Sequence, residues 1–129
     1  MRRRIDLTMK SLRIFTVLVA ALLAVSEVGR WWGNLRFLPL AFDELLVAAA
    51  MAWSAFAARR IGAAPLAAAW GLFSGLALSL LIPTLDHLLH GPAKKSAVFY
   101  SVILALMLAL GLWATWRALR LCREPRCER

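Results

Sequence analysis

Four apolar runs, each about 20 residues long and parted by short charged connectors, constrain this chain more than any other feature. They cover roughly 12–31 (around IFTVLVAALLAVSEV), 39–58 (PLAFDELLVAAAMAWSAFAA), 65–86 (PLAAAWGLFSGLALSLLIPTLD) and 97–117 (AVFYSVILALMLALGLWATWR). Residues 61–82 hold no charge at all. A water-soluble domain is typically about 45–50% apolar. Here 62% of residues are hydrophobic and the mean hydropathy is +0.71. The runs match the length that a helix needs to cross a bilayer. The expected fold is therefore all-α: one integral membrane domain, a four-helix bundle with short loops, ending in a basic tail over 118–129.

The punctuation agrees with helices. Pro65 suits a first turn, where its missing N–H has no intrahelical partner to lose. Gly91-Pro92 should end the third helix, and Ser96 should cap the fourth. Pro83 should kink or end the third helix by freeing the carbonyl of Ser79. The connectors, about 32–38, 59–64 and 91–96, hold no soluble domain, so any site lies among the helices or at their rim.

The formal net charge of +9 does not point to nucleic acid, because the cations flank apolar runs. With the N-terminus inside, the inner side carries Arg2, Arg3, Arg4, Lys10, Arg13, Arg59, Arg60, Arg117, Arg120, Arg123, Arg126 and Arg129. The outer side carries Arg30, Arg36, Lys94 and Lys95. This bias predicts both termini in the cytoplasm. Trp31, Trp32, Phe99 and Tyr100 would mark the outer interface, and Trp113 and Trp116 the inner one. Heavy use of alanine and arginine suggests a bacterial chain, hence the bacterial inner membrane. A competing reading of MRRR…LVAALLAVS is a signal peptide, with Ala24 and Ser26 at positions −3 and −1 and a mature chain starting at Glu27.

Apolar burial does not draw helices together in lipid, whereas small residues that permit close backbone approach do. The third run carries Ala67, Gly71, Gly75 and Ser79 at four-residue spacing. The fourth carries Ser101, Ala105 and Ala109, and the second Ala50, Ser54 and Ala58. Packing within the molecule is the expected use of these rows. A homo-oligomer seam or a partner-subunit groove is the alternative.

The acids and histidines are unevenly placed. Glu27, Asp43, Glu44 and Asp86, with His87 and His90, all fall near the outer ends of their runs. At about 100° per residue, Asp86, His87 and His90 share one patch, while Asp43 and Glu44 diverge so that one can face inward. Headgroup-level ion pairing accounts for them most simply, with Glu27 and Arg30 at i, i+3. A proton or cation pathway is a second reading. A transition-metal site is a third, with Asp86, His87 and His90 completed by Asp43, Glu44 or Glu27. Haem does not suit two histidines three apart on one helix, which cannot approach one iron from opposite faces.

The sequence holds no nucleophile–base motif, phosphate loop or Cys-x-x-Cys. Cys122 and Cys127 match no common zinc spacing. The expectation is a structural or accessory subunit or an assembly factor, not an enzyme, with no cofactor and with lipids and a membrane-protein partner around it. A small transporter or sensor of protons or divalent metal is the alternative.

Overall fold

A computed structural model describes residues 2–32, 38–92 and 95–123, with backbone alone for 2–5, 31, 38–41 and 95. Arg36, Lys94 and Cys127 lie outside the described residues, as do the side chains of Arg2, Arg3, Arg4, Trp31 and Lys95.

All of the described elements are helices: α1 (Arg2–Trp31), α2 (Leu38–Ile61), α3 (Ala64–His90) and α4 (Lys95–Arg123). Residues 6–30, 64–90 and 96–123 are long and apolar enough to cross a membrane, each holding an 18-residue stretch whose mean hydropathy is 1.9, 1.8 and 2.2 in turn. α2 coincides with the second apolar run. Asp43, Glu44, Arg59 and Arg60 bracket its uncharged centre, residues 45–58.

The turns obey backbone chemistry. Gly62, between α2 and α3, has φ 90°, a left-handed conformation open to glycine at little cost. Pro65 then sits in the first turn of α3, as its fixed φ favours. Gly91 terminates α3, its N–H donating to the carbonyl of His87 at 2.8 Å. α3 runs through Pro83 to His90, so of the two outcomes expected there the proline does not end the helix. One expectation needs correction: Ser96 lies inside the first turn of α4, which already begins at Lys95. Residues 118–123 of the expected tail continue α4, with Ala118 fully buried, and residues 124–129, with Arg126 and Arg129, lie outside the described residues.

Successive helices run antiparallel. Arg13, early in α1, donates from Nε to the carbonyl of Ala55, late in α2, at 2.8 Å. Arg30, at the other end of α1, reaches Glu44 near the start of α2. α3 and α4 share the largest interface, and α1 and α4 meet only slightly. α3 and α4 approach tightly at Gly111, where a Cβ would collide with Ser74 Oγ and lie 3.0 Å from Phe73 Cδ1.

The interior is mostly apolar, and much of the exterior is apolar too. Much of the interior is small: Ala48, Ala55, Ala69, Ala77, Ala114 and Ala118 are buried. Leu22, Val25, Ile82 and Leu106 point outward, each at least 60% exposed. Buried hydroxyls are satisfied locally: Ser54 donates to the carbonyl of Met51, Ser74 to that of Trp70 and Ser101 to that of Ala97. Trp70 is the largest fully buried side chain. It stacks on Phe15 of α1 at 5.6 Å and meets the edge of Phe73 at 5.3 Å. This apolar plug joins α1 to α3.

Candidate functional site

The end of the molecule that carries the α1–α2 and α3–α4 connections holds the predicted acids and histidines, and the helices divide them into two groups. The first group lies between α1 and α2. Glu27 is 1% exposed although it sits one turn from the end of α1. Glu44 is buried as well. Arg30 Nη1 lies 3.1 Å from Glu27 Oε1 and 3.7 Å from Glu44 Oε1, so one cation spans both carboxyl groups. Its own side chain is largely exposed, reaching over the pair from the solvent side. Proximity is not alignment here: neither oxygen of Glu27 has a hydrogen-bond partner. Asp43 turns outward, and its Oδ1 accepts the backbone N–H of Glu44 at 2.9 Å. The divergence of Asp43 and Glu44 follows the 100° step of a helix.

The second group is on α3. Asp86 Oδ1 and His90 Nδ1 are 3.2 Å apart at i, i+4, both about three-quarters exposed. His87 is exposed beside them, and its carbonyl is taken by Gly91. Among the described residues, no three of His, Cys, Asp and Glu come together as ligands for a metal ion. Asp86, His87 and His90 thus form a rim patch apart from the buried Glu27–Glu44 pair.

The small-residue row of α3 lies where packing within the molecule would not put it. Gly71, Gly75 and Ser79 are exposed and Ala67 is half-buried. A Cβ added at Gly71 or Gly75 would meet nothing within 4 Å. Leu66, Trp70, Phe73 and Ala77 supply the inward face instead. The row of α4 is also rotated from expectation: Ser101 is buried, while Ala105 and Ala109 face out. On α2 the expectation holds better, with Ser54 and Ala58 buried and Ala50 partly so.

Sequence reasoning placed Arg30 beside Glu27 and missed its second partner, because the contact with Glu44 depends on how α1 and α2 are registered. It also missed two features away from this end. One is a hydrogen bond from Trp70 to Thr16. The other is a cavity of about 480 Å³ between α1 and α2, bounded by Lys10, Arg13 and Arg59 and by apolar side chains.

No known protein family, curated protein or solved structure matches this chain.

Proposed function

We propose that this chain is a four-span bundle of a bacterial inner membrane, with both termini cytoplasmic, acting as an accessory subunit or assembly factor. In this reading it has no catalytic site of its own. Its task is to dock against a transmembrane helix of a partner protein. The oily exterior and the arginines flanking the runs support the membrane placement.

One observation carries the docking role. Ala67, Gly71, Gly75 and Ser79 form a strip with little side-chain bulk that the molecule does not fill from within. Such a strip lets a second backbone come close in lipid, where van der Waals contact and Cα–H contacts replace the missing hydrophobic drive. The test is purification in mild detergent at native expression. The wild-type chain should leave with a stoichiometric membrane partner, and Gly71→Leu/Gly75→Leu should lose it while keeping its thermal stability. A lone monomer, or a partner retained by the double variant, refutes the role.

A second reading rests on Glu27. A buried carboxylate with no hydrogen-bond donor is costly unless something neutralises it. Glu27 and Glu44 share one arginine, which leaves room for one proton or small cation. In that reading the protein passes or senses such an ion at the membrane rim. Flux into proteoliposomes that Glu27→Gln abolishes would favour it, and flux unchanged by that substitution would remove it.

A further inference from the structure

We infer that the cavity between α1 and α2 holds an anionic glycerophospholipid, with its phosphate at the cations and an acyl chain along the helices. The lining is ordered along the helix axis as such a molecule is. Lys10, Arg13 and Arg59 gather at one end, near the start of α1 and the end of α2. Ile14, Val17 and Leu18 continue the same stripe of α1, and Phe56 faces them from α2. From Arg13 to Leu18 the helix rises about 7.5 Å, which takes the wall from headgroup depth into acyl depth.

The cations are free to receive an anion. Among the described residues, no carboxylate lies within ion-pair distance of Lys10, Arg13 or Arg59. Arginines elsewhere at this end differ: Arg117 lies over the ring of Trp113 at 5.7 Å and Arg120 over that of Trp116 at 3.7 Å. Arg13 is also held in place. Its Nε bond to the carbonyl of Ala55 uses one donor and leaves both Nη groups for phosphate oxygens. Three unpaired cations above an exposed apolar wall match a phosphate-bearing lipid better than a free anion, which would leave the wall unused. The site would tie α1 to α2 at the end opposite Arg30.

The inference rests on the membrane placement proposed above. The experiment is native mass spectrometry of the full chain released from detergent, titrated with phosphatidylglycerol, phosphatidylcholine or glycerol 3-phosphate. Phosphatidylglycerol should bind as a single discrete adduct, well ahead of the other two. Lys10→Gln and Arg59→Gln, both at exposed positions, should each weaken it about fivefold, and together about 30-fold. Arg60→Gln/Arg120→Gln removes two cations from the same end without touching the cavity and should leave binding unchanged. Equal loss in that control pair would mean diffuse surface charge and overturn the site. Equal binding of glycerol 3-phosphate would overturn the role of the apolar wall. A chain that stays dispersed without detergent would remove the membrane placement itself, an outcome distinct from failed lipid selectivity in a detergent-dependent chain.

Discussion

Trp70 Nε1 donates to Thr16 Oγ1 at 3.0 Å in the buried centre of the molecule, linking α3 to α1 across 54 positions of sequence. Thr16 in turn donates to the carbonyl of Leu12 at 2.7 Å, so its hydroxyl is a donor to its own helix and an acceptor from another. The largest side chain of the core therefore has its one polar atom satisfied.

This relationship predicts a graded loss of stability. Thr16→Val keeps the shape and strands the indole N–H, at a cost of about 1–2 kcal/mol. Trp70→Phe should cost a similar amount or more, through lost volume and the same lost bond, and the double variant should cost less than the sum, because the second change no longer breaks that bond. Thermal unfolding in detergent micelles provides the measurement. Strict additivity would mean that the bond contributes nothing.

Gly111 tests the α3–α4 contact. Its missing Cβ is what lets Ser74 and Phe73 approach. Gly111→Leu should push the helices apart and destabilise by about 1–3 kcal/mol, the usual result of overpacking. Gly75→Leu, facing open space on the same pair of helices, should have little effect on the isolated protein.

The Arg30 bridge should show the asymmetry of a buried charge that loses its partner. Arg30→Ala leaves Glu27 and Glu44 without their shared cation and should destabilise by about 1–3 kcal/mol. Adding Glu27→Gln to that variant should recover part of the loss, since a neutral amide tolerates the site better than an unpaired carboxylate. Unfolding of the two variants side by side gives the answer; a further loss with Glu27→Gln would contradict this account of the pair.

Orientation can be read from a native thiol. Cys122 is exposed near the end of α4. With Cys127→Ser to leave one cysteine, a membrane-impermeant maleimide should label Cys122 in inverted vesicles and not in intact spheroplasts. The reverse pattern would overturn the inward placement of the termini.

The helices and their turns were legible because the physics that sets them is local. Pro65 and Gly91 act through backbone conformation and missing donors, and apolar length marks the runs. The 100° step was enough to separate Asp43 from Glu44, and the i, i+3 spacing enough to pair Glu27 with Arg30. The start of α1 was not legible, because an apolar run locates a span and not a helix: arginine and lysine are good helix formers, so α1 continues back to Arg2. The facing of α3 was hidden for a different reason. Leucine and alanine surround that helix on every side, so no polar face marks its exterior. A row of small residues suits an internal neighbour and an external one equally. The fit of Trp70 on Phe15 of α1 and of Ser74 and Phe73 against Gly111 of α4 shows which face turns inward.

The docking face of α3 is the claim on which the proposed role depends, and photocrosslinking in living cells tests it most directly. Benzoylphenylalanine would be placed at Gly71 and Gly75, with Leu106 of α4 as an exposed control, at native expression. The account predicts one discrete adduct with a membrane protein from positions 71 and 75 and none from 106. Adducts at all three positions, or unmodified protein at all three, would contradict it.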